Sequence, residues 1–262
     1  MTIFLKIYKT LLLLSVNILF LLVGLTIRLI FRKSDSRLKM QSVCSMIWAK
    51  TMCRILGIRI SIGGHFKNIQ PLFTVSNHVS YVDILALASI RPSVFIAKHE
   101  IRQWPLLGWL AVLGGTIFID RNSKRAAWKA LFEVERALSS NINTVLFPEG
   151  TTGDGSELKE FRSFFFDAPI KSMVAVQPVS IKYICMDTGK NHDNTKNISW
   201  HGDMQLMQHI WGLLGTKQIN TVIYFNPIIS RVITDSPSAQ SRKILSSAAY
   251  ISIKSGLVEA LS

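Results

Sequence analysis

Cysteine, acidic residues and any familiar metal spacing are scarce in this 262-residue chain. Its three cysteines, Cys44, Cys53 and Cys185, are odd in number and lack short paired spacing, which excludes a disulfide framework and a cysteine zinc site and agrees with a reducing compartment. The histidines supply no ligand set: after His99-Glu100 the place a zinc helix would need holds Gln103, and His65, His192, His201 and His209 show no ligand spacing. No metal site is therefore predicted. Gly-x-Ser-x-Gly is absent throughout, which argues against a hydrolase built on the serine elbow, with Ser80 as its nucleophile. No internal repeat, low-complexity tract or linker divides the chain.

Acid is scarcest at the start. Residues 1 to 70 hold eleven Lys or Arg and one acid, Asp35, out of a formal net charge of +14 for the whole. Those cations flank Leu11 to Ile27, an uncharged apolar stretch whose clearly polar members are Ser15, Asn17 and Thr26. Its 17 residues lie at the short edge of what a bilayer span needs, roughly 17 to 25. No small-residue cleavage site follows, and Arg28, Arg32 and Lys33 end the segment, so it reads as an anchor and not as a signal peptide. The next stretch, Leu38 to Leu56, places Met40, Val43, Cys44, Ile47 and Thr51 along one helical face.

Two membrane arrangements fit. If the first segment spans, the five cations from Arg28 to Lys39, against Lys6 and Lys9 before it, put the rest of the chain on the cytoplasmic side of an inner or cytoplasmic membrane. Alternatively both helices lie in one leaflet, or the second packs on the protein's own core. Basic residues around an apolar anchor, with no nucleic-acid module, favour phospholipid head groups over nucleic acid as the partner.

Beyond residue 57 short strands alternate with helical stretches. Strands are expected near 58–62, 72–76, 94–97, 116–119, 144–147, 174–184 and 219–226, and helices over 81–90, 105–113, 123–139, 203–214 and 238–260. That alternation predicts an α/β layered domain over 58–262, preceded by a helical membrane anchor over 1–57. The polar tract from Asp187 to Asn197 reads as a flexible surface loop.

Chemistry concentrates in Asn77-His78-Val79-Ser80-Tyr81-Val82-Asp83, between a strand and a helix. Ser80, followed three residues later by Asp83 and then by an apolar run, reads as an N-cap with an acidic partner. His78 then lies on the incoming loop, where its ring can fold back on Asp83. The carboxylate would hold one ring nitrogen as N–H and leave the other free to take a proton, which is what a general base needs. Capping alone would also explain Asp83. Arg121 follows a strand and could grip a phosphate, and Glu149 follows another beside Pro148 and Gly150. Lys124 and Arg125 read as surface charge.

The His78/Asp83 segment, Gly115-Thr116-Ile117-Phe118-Ile119-Asp120-Arg121, Phe147-Pro148-Glu149-Gly150-Thr151 and Val176-Gln177-Pro178-Val179 together resemble, in order and approximate spacing, the glycerolipid acyltransferases, which include the 1-acylglycerol-3-phosphate acyltransferases. The resemblance runs from about Leu72 to Tyr183. It implies a glycerolipid acyltransferase-type layered fold and an O-acyltransferase that moves a fatty acyl chain from a thioester of coenzyme A or acyl carrier protein to a lysolipid hydroxyl. No cofactor beyond that co-substrate is required. His78 and Asp83 would be catalytic, with Arg121, Glu149, Gly150 and Thr151 binding the acceptor. Lys98 fits the family pattern too and would either contact substrate or pair with Glu100.

Where many members acting on lysophosphatidate carry Arg after the Phe-Pro-Glu-Gly-Thr block, this chain has Thr152. With Trp200-His201-Gly202-Asp203-Met204, that tract is similar to a bacterial branch that includes lyso-ornithine-lipid and other lysolipid acyltransferases. Arg162 is a candidate substitute cation. The leading expectation is 1-acylglycerol-3-phosphate as acceptor, giving phosphatidate; the alternatives are lyso-ornithine lipid or another lysophospholipid, and a catalytically silent lipid-binding protein.

Overall fold

A computed structural model describes residues 2–187, 190–230 and 239–260. Two long helices come first, α1 (Thr2–Ile30) and α2 (Ser34–Leu56), followed by β1 (Ile58–Gly64), β2 (Phe73–Ser76), α3 (Val82–Ile90) and β3 (Ser93–Lys98). A 3-10 turn (His99–Gln103) leads into α4 (Leu107–Leu113), β4 (Ile117–Ile119), α5 (Lys124–Ser139) and β5 (Asn143–Leu146). Then come α6 (Asp167–Lys171), β6 (Val176–Asp187), β7 (Lys190–Asp193), α7 (Thr195–Ile198), α8 (Leu206–Leu214), β8 (Ile219–Phe225) and α9 (Ala239–Glu259).

The strands form one mixed sheet in the order β1-β8-β6-β2-β5-β3-β4, with β7 folded back on β6. From β6 to β4 all neighbours are parallel, and β8 is antiparallel to β6. Apolar clusters cover both faces. Helices α5, α6 and α9 pack Leu131, Val134, Ala168, Ala249 and Ile253 on one side of the sheet. On the other, α2, α3 and α8 bring Met52, Cys53, Val82, Leu85, Leu213 and Leu214 onto Val179, Ile181 and Ile223. The result is the layered α/β architecture the alternation predicts, because parallel strands need helical crossovers that cover both faces.

Ser123 caps α5 by accepting a hydrogen bond from the Ala126 N–H at 3.2 Å, the side-chain capping that ends a strand-to-helix turn. Three expectations need correction. α3 starts one residue later than a Ser80 cap implies, at Val82 behind Tyr81, although the Val82 N–H still points at Ser80 Oγ at 3.4 Å and the Ser80 N–H donates to Asp83 Oδ2 at 2.9 Å. The Asp187–Asn197 tract is largely ordered as β7 and α7, since β6 extends far enough for the chain to turn back and pair Ile184 with Asp193 and Cys185 with His192; positions 188 and 189, like 238, lie outside the described residues. The buried face of α2 is also not the one its apolar residues mark. Gln41, Ser42, Ser45, Ala49, Met52 and Cys53 face inward, whereas Met40 and Ile47 are exposed.

α1 is held against the body from near its start to near its end. The Lys9 ammonium donates to the Leu56 carbonyl at 3.1 Å and the Thr216 carbonyl at 2.7 Å. Trp48 Nε1 donates to Asn17 Oδ1 at 2.9 Å, Phe20 packs on Trp48, and Ile27 is buried. The outward face, including Phe4, Ile7, Leu11, Leu14, Ile18, Leu22, Leu25 and Leu29, is exposed and apolar.

Candidate active site

β2, β5, β3 and β4 lie side by side and point the same way, so the residues that follow their carboxyl ends are delivered to one rim of the sheet. His78 follows β2, Glu149 follows β5, Lys98 ends β3 and Arg121 follows β4. The rim beyond the carboxyl ends of parallel strands is where ligands bind in open α/β sheets.

His78 Nδ1 lies 2.8 Å from Asp83 Oδ2. That oxygen also accepts from the Val79 and Ser80 N–H groups at 2.7 and 2.9 Å, and Oδ1 accepts from the Tyr183 hydroxyl at 2.6 Å. Asp83 is fully buried, so its charge depends on these four donors. Two of them are the loop's own backbone, which explains why Ser80 stays outside the helix: the carboxylate reaches back and fixes Val79 and Ser80. Below the ring, Phe147 stacks with His78 at 3.9 Å between centroids. The other imidazole nitrogen, Nε2, has no hydrogen bond among the described residues, while the ring is about 15% exposed. An imidazole with one nitrogen fixed and the other available can accept a proton from a hydroxyl.

Glu149 is buried, with its two oxygens divided between backbone donors. Oε1 accepts from the His78 N–H at 2.7 Å and Oε2 from the Lys159 N–H at 3.0 Å. Burial pushes its carboxyl pKa up, and the two backbone bonds and the nearby charges of His78 and Lys159 oppose the rise. Glu149 therefore braces the His78 loop against the segment ending at Lys159. A Gly153 N–H to His78 carbonyl bond of 2.9 Å ties the same pieces together.

Cations gather next to this frame. Arg121 donates to the Gly150 carbonyl at 3.0 Å. Burial and then the Arg121 charge lower the Lys98 pKa, with Arg162 and Lys159 adding to the effect and Glu100 opposing it. No ion pair joins Lys98 to Glu100 among the described residues. Arg121, Lys124 and Arg162 line a cavity of about 290 Å³ whose remaining wall includes Ile96, Trp128, Phe147 and Phe164. Arg125 and Thr151 are exposed. Gly150 has a left-handed φ of 72°, and a Cβ there would lie 2.9 Å from the Arg121 guanidinium, so only glycine lets the cation lie across this turn.

Sequence reasoning missed Tyr183, Phe147 and Lys159. Lys159 Nζ donates to the Thr152 carbonyl at 2.8 Å, which sets a cation beside the position that lacks arginine. Tyr183 sits on β6, a hundred residues from Asp83, and carries no local motif. Trp200 also joins the site's edge, its backbone N–H donating to the Val79 carbonyl at 2.8 Å and its ring meeting Tyr81 and Trp104 edge-on.

A family model described as Acyltransferase matches residues 57–182. Lyso-ornithine lipid O-acyltransferases from Rhizobium meliloti and Brucella abortus are 35% and 34% identical over 192 and 197 residues, which cover 70% and 71% of this chain. The match spans 65% of the Rhizobium protein, just under two thirds, and 73% of the Brucella protein. A 1-acyl-sn-glycerol-3-phosphate acyltransferase from Neisseria gonorrhoeae is 32% identical over 154 residues, covering 59% of this chain and 58% of that protein. In three dimensions the crystal structure of the 1-acyl-sn-glycerophosphate acyltransferase from Thermotoga maritima superposes with a TM-score of 0.63 at 19% identity, covering 99% of this chain and 97% of that one.

Proposed function

The chain belongs to the acyltransferase family, and we propose that it transfers a fatty acyl group from a coenzyme A or acyl carrier protein thioester to the hydroxyl of a lysolipid. His78 Nε2 takes the hydroxyl proton as the oxygen attacks the thioester carbonyl, and collapse of the tetrahedral intermediate expels the thiolate of the carrier. Asp83 holds Nδ1–H and stabilises the imidazolium that forms. The carrying observation is the His78–Asp83 contact of 2.8 Å, with the carboxylate buried and its oxygens bound by four donors. A positioned base of this kind contributes about 10²- to 10⁴-fold to rate.

Arg121, Arg162, Lys98 and Lys159 supply the charge for the head group, and the Glu149-Gly150-Thr151 turn shapes the wall they share. Four cations around one rim suit the phosphate of 1-acylglycerol-3-phosphate, whose acylation gives phosphatidate. The second reading, lyso-ornithine lipid, is favoured by Thr152 and by the stronger likeness to enzymes of that name. Its head group carries an ammonium beside its carboxylate, so it needs fewer cations than a phosphate dianion.

Residues 1–57 seat the enzyme on a membrane in this reading. At about 1.5 Å per residue the contacts from Lys9 to Ile27 cover about 27 Å, nearly the thickness of a bilayer core. A spanning α1 would carry α2, with its exposed Lys39, Lys50 and Arg54, into hydrocarbon. An α1 lying in one leaflet avoids that cost and keeps its apolar stripe in lipid. Cysteine usage that agrees with a reducing compartment supports a catalytic rim on the cytoplasmic side.

The test is transfer from a labelled acyl thioester to 1-acylglycerol-3-phosphate, lyso-ornithine lipid and lysophosphatidylcholine by the purified protein, beside His78→Ala. Transfer to 1-acylglycerol-3-phosphate or lyso-ornithine lipid, lost in the variant while circular dichroism shows the fold retained, is expected. Equal activity in the variant would overturn the assignment, and the preferred acceptor decides between the two head groups.

A further inference from the structure

A second cavity, of about 790 Å³, lies between α1 and α4 and shares no lining residue with the cation-lined cavity of the active site. Its walls are apolar: Leu21, Leu22 and Leu25 from α1, and Trp109, Val112 and Leu113 from α4. The helices meet closely at Gly24, where a Cβ would lie 2.9 Å from Leu113 Cβ. Beside this contact Leu22, Leu25 and Trp109 are exposed, so the groove opens on the same exposed apolar stripe of α1. Its volume falls within the roughly 300 to 1,000 Å³ of ligand-binding clefts.

The groove has two charged lining groups of one sign. Arg28, in the last turn of α1, and Arg102, in the 3-10 turn before α4, both border it, and no carboxylate does. Neither guanidinium has a hydrogen bond or ion pair among the described residues. A planar fork of donors is well matched to phosphate oxygens. Long apolar walls with two unpaired arginines call for an amphiphile carrying a phosphate. A free phosphate would leave the walls unfilled, and a hydrocarbon would leave the arginines without an anion.

We propose that this groove binds an anionic membrane phospholipid as a bound, non-reacting lipid, with acyl chain along Leu22, Leu25, Trp109 and Val112 and phosphate between Arg28 and Arg102. Such a lipid bridges α1 to α4 and ties the membrane seat to the turn that follows Lys98. The inference goes beyond acyl transfer and holds whether or not that reading stands.

The experiment uses full-length protein in phosphatidylcholine vesicles containing spin-labelled phosphatidylglycerol or, separately, spin-labelled phosphatidylcholine, and reads the motionally restricted fraction of each label. Wild type is expected to prefer phosphatidylglycerol. Arg28→Gln/Arg102→Gln is expected to lower that preference by about tenfold, the loss of a charge-assisted contact worth about 1.4 kcal/mol. Val112→Trp, which fills the groove and leaves both arginines, is expected to lower it too. Arg32→Gln/Lys33→Gln removes the same charge from the neighbouring exposed surface and is expected to keep the preference. An unchanged ratio in the arginine variant, or an equal drop in the Arg32/Lys33 control, overturns the proposal, the latter in favour of diffuse surface charge. Because the readout is lipid binding, a failed acyl-transfer assay leaves its outcome interpretable.

Discussion

Asp83 shows how one side chain can set both a fold and a site. Its carboxylate is fully buried and accepts from an imidazole, two backbone N–H groups and a phenol, so removing any donor leaves part of the charge uncompensated. Tyr183→Phe deletes the 2.6 Å bond to Oδ1 and is expected to cost about 1 to 3 kcal/mol in urea unfolding, with a fall in kcat as the His78–Asp83 pair loosens. Gly150→Ala forces its Cβ against the Arg121 guanidinium; steady-state kinetics should show a raised acceptor KM with a smaller change in kcat. Lys98 is predicted to set an alkaline limit. Its pKa is lowered by burial and by Arg121, so it loses its proton below the pH at which a free lysine does. Acceptor affinity that depends on its charge is present at lower pH and is lost as pH rises through that lowered value. Lys98→Arg, which stays charged, should flatten this limb of the KM–pH profile. The approach of His78 to Asp83 was legible in sequence because the two residues flank one strand-to-helix turn. Tyr183 was not, because a hydrogen bond between residues a hundred positions apart leaves no local pattern.

At the scale of elements, the strand ends explain why residues dispersed from His78 to Arg162 converge. Chain order is β2, β3, β4, β5, but spatial order is β2-β5-β3-β4, so Glu149 comes to lie between the β2 and β3 loops and can accept from the His78 N–H. Apart from β7, the strands themselves were legible as short apolar runs; the residue-by-residue alternation of burial along β8 from Ile219 to Phe225 came only with the sheet. The neighbour order was not legible, because parallel pairing is decided by packing across crossovers. The helical hairpin of α1 and α2 rests on polar contacts that an apolar profile hides. Lys9→Met removes the ammonium from the carbonyls of Leu56 and Thr216, close to the ends of α2 and α8. It is expected to lower stability by about 1 to 3 kcal/mol and to speed proteolytic cleavage between α1 and α2.

The whole molecule is polarised. Charge and apolar surface are concentrated in the first quarter, and the rim that holds His78 and Arg121 lies on the sheet that this quarter packs against. Binding to anionic vesicles should combine a screened and an unscreened part. Flotation of the protein with phosphatidylglycerol-containing vesicles is expected to weaken as salt rises from about 0.1 to 1 M, where the Debye length falls from about 10 to 3 Å. A residue of binding should persist, carried by the outward stripe of α1. Complete release at high salt would show that the stripe does not enter lipid.

By itself the sequence determined what local patterning can encode: an apolar, basic N-terminal segment, an α/β alternation and a His/Asp pair at a strand-to-helix junction. Those are properties of neighbours along the chain, where helix and strand periods and turn residues act. Tertiary structure alone decided which face of α2 is buried, that α1 lies along the body, that Tyr183 and Glu149 brace the His78 loop, and that Arg28 and Arg102 border one groove. Each of these depends on groups brought together across the fold, and their energies come from burial and from hydrogen bonds made only when distant segments pack.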